Sequence, residues 1–128
     1  MSAVGFHVPA TVGFASPAED VIDKGLDLNE LLVKRPQATF FMRVSGSGMI
    51  GKGINAGDIL VVDRSLAIEK ENIIVACMDG EMVIKHIRKR LGQLELLSDR
   101  SGRTAIRVDT LNDFELWGIV TAVIRSFT

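Results

Sequence analysis

Two serines and two glycines stand close together in residues 44–50, and a lysine set among apolar residues, Lys85, follows further along the chain. A serine hydroxyl can attack a peptide carbonyl if an uncharged amine accepts its proton, which is triad chemistry with lysine as the base. Closely spaced glycines permit a tight turn whose backbone N–H groups can stabilise an oxyanion. These residue types allow peptide hydrolysis, but a flexible loop between strands gives the same pattern, and spacing alone favours the loop.

Lys85 falls in a predicted strand, residues 81–87, where alternation places Val83, Lys85 and Ile87 on one face. A lysine acts as a base only when it is uncharged, and apolar surroundings disfavour the charged form. The alternative is a lysine that extends to solvent from an edge strand, and the residues by themselves favour that alternative.

The elements that must position these residues are mostly strands. Residues 1–15 lack periodicity and predict a mobile arm, after which Ser16, Pro17 and Glu19 form a start signal for a short helix to about Lys24. Asp27 offers a weaker second cap, and Pro36 limits the helix that follows it. We therefore expect the arm at 1–15 and one folded domain at 16–128.

Beyond Pro36 the pattern changes to short segments rich in Val, Ile, Leu and Phe. Asp79-Gly80 predicts a type I′ hairpin, and Ser101-Gly102 is a weaker copy of that signal. The predicted fold is a mostly β, curled antiparallel domain with one or two short N-terminal helices. Its predicted strands are residues 39–44, 58–63, 72–78, 81–87, 94–97, 104–108 and 116–124.

Composition limits the functional classes. The 128 residues are 47% hydrophobic without a run long enough to span a membrane, and the first 15 residues do not resemble a signal peptide. Fifteen basic and sixteen acidic residues give a formal charge of −1, so no direct DNA binding is expected. The lack of a spanning run and of a signal peptide predicts a cytoplasmic location, and a single cysteine fits a reducing compartment. His7 and His86 are isolated, and neither a metal nor a cofactor is predicted.

Several segments together resemble one family. They are Gly13-Phe14, the run LDLNELL at 26–32, Arg43-Val44-Ser45-Gly46, the run GDILVVD at 57–63, and Trp117-Gly118-Ile119-Val120. Over nearly the whole chain, this combination resembles UmuD and its plasmid-borne relatives within the LexA/UmuD family of self-cleaving Ser/Lys peptidases.

The resemblance implies a role for each candidate site residue. Lys85 is the general base, Gly48 occupies the position of the serine nucleophile, and backbone N–H groups near Ser47 and Gly48 form the oxyanion hole. The family removes its own N-terminal arm before a glycine, which makes Val12-Gly13 the candidate bond. Cleavage there would release residues 1–12.

Three residues depart from the family pattern. Gly48 has no hydroxyl and cannot form an acyl-enzyme, so the chain as written is expected to be inactive. Val12 replaces the alanine or cysteine that usually precedes the cut, and Val83 replaces a threonine that could help orient the amine. Ser47 and Ser45 are disfavoured as substitutes because a shift along a turn redirects the side chain. Gly48 is either an engineered substitution that traps the uncut form or a natural loss.

The resemblance also implies partners: a homodimer, the RecA filament and a Y-family translesion polymerase served by the trimmed form in the SOS response. The alternative is a regulatory subunit of such a polymerase that performs no proteolysis, as Gly48 and Val83 suggest. A LexA-like repressor is disfavoured because about 15 residues precede the predicted ordered region, too few for a helix-turn-helix domain. A type I signal peptidase is disfavoured because no anchoring segment is predicted.

Overall fold

A computed structural model describes residues 25–46, 53–97 and 105–128 of the chain, which divides into two units, Met1–Lys34 and Arg35–Thr128. The predicted arm at 1–15 and the predicted helix from Ser16 to Lys24 lie outside the described residues. Helix α1 (Leu28–Leu32) belongs to the first unit, and the carboxylate of its N-cap, Asp27, accepts the Asn29 N–H at 2.9 Å. This confirms the cap predicted at Asp27.

The described part of the second unit forms one antiparallel sheet of seven strands, in the order β1-β2-β7-β3-β4-β5-β6. The strands are β1 (Thr39–Arg43), β2 (Ile59–Asp63), β3 (Glu71–Met78), β4 (Glu81–Arg90), β5 (Gln93–Leu97), β6 (Ala105–Arg107) and β7 (Phe114–Ile124), with a 3₁₀ turn at Val108–Thr110. The mostly β, antiparallel fold class predicted from the sequence is confirmed. Strand β4 continues three residues past the predicted end at Ile87.

The β3–β4 hairpin has the predicted turn. Asp79 and Gly80 have φ angles of 52° and 78°, and a type I′ turn requires positive values at both positions. A second hairpin, between β4 and β5, turns through Leu91 and Gly92 with φ angles of 53° and 76°, and the sequence did not predict it. The predicted turn at Ser101-Gly102 lies outside the described residues.

The centre of the sheet is buried on both faces. On β3, Ile74 and Ala76 belong to one buried cluster, while Val75 between them belongs to another. Successive side chains of a strand point to opposite faces, so apolar groups cover both sides of β3. The first cluster also contains Ile68, Ile87, Leu96 and Ile119, and the second contains Val44, Ile54, Leu60 and Val62.

Two register shifts bend the sheet where β7 meets its neighbours. One lies between Val61 and Val62 on β2, the other between Val75 and Ala76 on β3. Such irregularities increase local twist and help a sheet cover its own core. Close packing there also requires a glycine, because a β-carbon on Gly118 would lie 2.6 Å from Cγ1 of Val62.

Candidate active site

Lys85 occupies the middle of β4, where β3 holds it from one side. Its register partner on β3 is Ile74, which is fully buried. The residues two positions away on β4 are Val83, which packs against the first apolar cluster, and Ile87, which belongs to it. Lys85 itself is half-buried, so an amine-bearing side chain starts from an apolar face of the sheet.

Lys85 lines a cleft of about 420 Å³ that also reaches the end of β1. One wall is formed by Met42, Arg43, Val44 and Ser45, and the other by Met82, Val83, Ile84 and Lys85, with Leu60 and Val75 completing the lining. Ser45 and Lys85, which are far apart in the sequence, therefore border the same cavity. The lining combines aliphatic and methionine side chains with the polar residues Arg43, Ser45 and Lys85, so it offers both apolar and polar contacts to an extended peptide.

The other candidate site residues lie outside the described residues. They are Ser47 and Gly48 at the proposed nucleophile and oxyanion positions, and Val12 and Gly13 at the proposed cut. The residues on either side of positions 47–52 are described, and hydrogen bonds join them. The Val44 N–H donates to the Asp58 carbonyl at 2.8 Å, and the Gly57 N–H donates to the Val44 carbonyl at 2.8 Å. These bonds join Val44, which lines the cleft, to Gly57 and Asp58. Residues 45–57, which lie between the bonded residues in the sequence, are called the motif segment below.

Asp58 stands where the motif segment enters β2, and its carboxylate is almost fully buried. It accepts hydrogen bonds from Arg125 at 2.7 and 2.8 Å and from the Asn55 N–H at 2.7 Å. The Arg125 guanidinium first, and then the Asn55 N–H, lower the pKa of Asp58 from 3.8 to about 2. The carboxylate therefore stays ionised through ordinary conditions.

This lowered pKa predicts how stability responds to acid. A carboxyl group whose pKa is lower in the folded chain contributes stability above its unfolded value, and that contribution is lost as the pH falls. For Asp58 the loss spans about pH 3.8 to about 2. We expect Asp58→Asn to be less stable at pH 6 but to lose less stability than the parent between pH 4 and pH 2, as measured by denaturant unfolding.

Ile87→Val is the control for this experiment, because removing one buried methylene lowers stability at every pH by about 0.5–1.5 kcal/mol without touching a carboxylate. It should keep the parent's acid slope. An Asp58→Asn variant with the parent's slope would contradict the assignment.

A second buried carboxylate, that of Asp63, lies at the opposite end of β2. Asp63 accepts the Ser65 N–H at 2.8 Å and hydroxyl at 2.6 Å, and it receives the Arg35 guanidinium at 3.1 Å. The Ser65 hydroxyl, with smaller contributions from the Ser65 N–H and Arg35, lowers the pKa of Asp63 despite its burial. Strand β2 is thus bounded by two ionised aspartates, each paired with an arginine.

Sequence reasoning did not assign a role to either pair. Asp58 and Asp63 lie in the run GDILVVD, which served as a family motif, and Arg125 lies just past the last predicted strand. The available signal was two aspartates flanking an apolar strand, because a buried carboxylate requires a partner. The identity of that partner depends on the pairing of β2 with β7.

Among the described residues, no group of three or more His, Cys, Asp or Glu side chains is placed to hold a metal ion. No helix in the described ranges is long and apolar enough to cross a bilayer.

The antiparallel sheet brings Lys85 on β4 and Ser45, two residues past β1, to one cleft. The family described as Peptidase S24-like matches residues 6–121, which include positions 48 and 85. That match covers most of the chain. The chain belongs to the Peptidase S24-like family.

Similar proteins show which members of that family this chain resembles. Protein MucA of Escherichia coli is 39% identical over 112 residues, covering 87% of this chain and 76% of MucA. Protein ImpA of Shigella flexneri is 40% identical over 114 residues, covering 88% and 77%. Protein SamA of Salmonella typhimurium is 35% identical over 113 residues, covering 88% and 78%. The UmuD-like character predicted from the motifs is confirmed.

Proposed function

We propose that this chain has the design of a UmuD-like self-cleaving Ser/Lys peptidase, with glycine at the nucleophile position. The observation that carries the proposal is the cleft shared by Lys85 and Ser45, at which the Ser- and Gly-rich segment begins. Lys85 is the general base, position 48 is the nucleophile position, and the N–H groups of Ser47 and Gly48 form the oxyanion hole. The bond to be cut is Val12-Gly13.

The proposed reaction has two halves. A serine hydroxyl at position 48 would transfer its proton to the neutral Lys85 amine while its oxygen bonds to the carbonyl carbon of Val12. The C–N bond to Gly13 then breaks, and the amine of Gly13 takes the proton from Lys85. Water, deprotonated by Lys85, hydrolyses the resulting ester and releases residues 1–12. With Gly48 the first bond cannot form, so the chain as written does not cleave itself.

Membership of the family supports a proposal for the downstream role as well. We place the chain in SOS mutagenesis in the cytoplasm, as a homodimer that responds to the RecA filament and assists a Y-family translesion polymerase. A second candidate is a regulatory subunit of such a polymerase without proteolysis. Gly48 favours it, and so does Val83, which lines the cleft two residues before Lys85 without offering a hydroxyl.

The test restores the missing hydroxyl. The Gly48→Ser variant is incubated at neutral and alkaline pH, with and without RecA filaments, and its intact mass is followed beside that of the parent. We expect the variant to lose residues 1–12, faster at high pH, while the parent keeps its full mass. An unchanged mass of the variant in every condition would favour the non-proteolytic regulatory subunit.

A further inference from the structure

Arg125, the first residue after β7, makes three hydrogen bonds at one end of the motif segment. Its Nε donates to Oδ1 of Asp58 at 2.8 Å and its Nη2 to Oδ2 at 2.7 Å, a two-point contact with a carboxylate that is 2% exposed. The same Nη2 also donates to the carbonyl of Gly53 at 2.6 Å. Paired contacts of this kind fix direction as well as distance.

The two residues to which Arg125 donates, Asp58 and Gly53, follow position 48 closely in the sequence. Gly53 is the first described residue after 47–52. Asp58 connects to both flanks: its carboxylate accepts the Asn55 N–H at 2.7 Å, and its carbonyl accepts the Val44 N–H at 2.8 Å. One arginine therefore bonds directly to Gly53 and Asp58. Through the Asp58 carbonyl it is also connected to Val44, the residue before the motif segment.

The Asp63–Arg35 pair at the other end of β2 is a comparable ion pair that has no hydrogen bond to the described residues of the motif segment. Its carboxylate is 4% exposed, close to the 2% of Asp58, and its arginine is 50% exposed, against 36% for Arg125. Its further hydrogen bonds go to Ser65, in the turn after β2. Burial of a carboxylate at a strand end explains both pairs, but among the described residues the Asp58–Arg125 pair also bonds to Asn55 and Gly53, whereas the Asp63–Arg35 pair bonds to Ser65.

We propose that Arg125 is a positioning residue that fixes residues 53–58 through Asp58 and Gly53, so that the cleavage rate depends on a side chain beyond the last strand. This inference rests on the proposed self-cleavage. A nucleophile held within a fraction of an ångström is needed for attack, and a misplacement of about 1 Å can cost about 10²-fold in rate. Arg125 itself is absent from the lining of the cleft that Lys85 and Ser45 share.

The experiment compares Arg125→Gln with the matched variant Arg35→Gln, each alone and combined with Gly48→Ser. Amide hydrogen exchange of the single variants, without Gly48→Ser, measures how firmly residues 53–58 are held. We expect the Asn55 and Gly57 amides to exchange at least about tenfold faster in Arg125→Gln and to keep the parent's rates in Arg35→Gln. In the combined variants, we expect Arg125→Gln to slow the cut by about 10- to 100-fold and Arg35→Gln by no more than about threefold.

Arg125→Lys separates positioning from stability, because lysine keeps the charge but not the planar fork. Combined with Gly48→Ser, its cleavage rate should fall between those of Gly48→Ser alone and of Gly48→Ser with Arg125→Gln, while the unfolding midpoints of Arg125→Gln and Arg35→Gln stay similar. Equal slowing by Arg125→Gln and Arg35→Gln would overturn the inference, as would unchanged exchange at Asn55 and Gly57. If Gly48→Ser does not cut at all, the proposed function fails. Faster exchange at Asn55 and Gly57 in the single variant Arg125→Gln would still show that Arg125 fixes residues 53–58.

Discussion

Replacing Lys85 with alanine in the Gly48→Ser variant is expected to slow the cut at Val12-Gly13 by about 10³- to 10⁴-fold, because no other base is assigned to the serine hydroxyl. Lys85 lines the cleft together with Ser45, at which the motif segment begins. The measurement is the intact mass of both variants at timed intervals. Since an amine accepts a proton only when it is uncharged, the rate in Gly48→Ser should also rise with pH.

Two further substitutions make this result specific. Lys85→Arg keeps a long cationic side chain, but a guanidinium does not give up its proton in proteins, so it should be as inactive as Lys85→Ala. Lys89→Ala removes an exposed lysine from the same strand, and combined with Gly48→Ser it should cut at the rate of Gly48→Ser alone. Rapid cleavage by the Lys85→Ala combination would contradict the assignment of Lys85 as the base.

Replacing Ile74 with alanine is expected to lower the free energy of unfolding by about 2–5 kcal/mol, the usual cost of emptying a fully buried aliphatic site. Ile74 is 0% exposed, and it stands in register with Lys85 on one side and Ile119 on the other. A typical domain is stable by about 5–15 kcal/mol, so this single change removes a large share of that stability.

Denaturant unfolding followed by circular dichroism measures this loss. Ile106→Ala is the matched control, because Ile106 is 42% exposed on the edge strand β6. Its cost should be no more than about 0.5 kcal/mol, as for most surface substitutions. Equal losses for Ile74→Ala and Ile106→Ala would show that the centre of the sheet does not carry the core.

The strands and one hairpin were predictable because they depend on neighbouring residues. Asp79-Gly80 has the residue types that tolerate positive φ, so the β3–β4 turn could be read directly. The turn at Leu91-Gly92 was missed because a branched residue such as Leu91 seldom adopts a φ of 53°. Without that turn, no local pattern indicated that β4 continues past Ile87.

The site was predictable in part for a different reason. The serines and glycines of residues 44–50, the apolar neighbours of Lys85 and the family resemblance singled out both places, and the sheet brings Lys85 and Ser45 to one cleft. Asp58 and Arg125 are separated by 67 positions, and their pairing depends on β7 lying beside β2 rather than on any local pattern. Long-range strand order is the information that alternation of apolar residues lacks.

The central claim is that position 48 and Lys85 act together as a nucleophile and its base. The most direct measurement is reaction of Gly48→Ser with a fluorophosphonate, which bonds to an activated serine oxygen and loses fluoride, followed by peptide mass mapping of the adduct. The expected result is an adduct at position 48 in Gly48→Ser that is absent from Gly48→Ser/Lys85→Ala and from the parent. No adduct in Gly48→Ser, or one at Ser45 or Ser47, would contradict the claim.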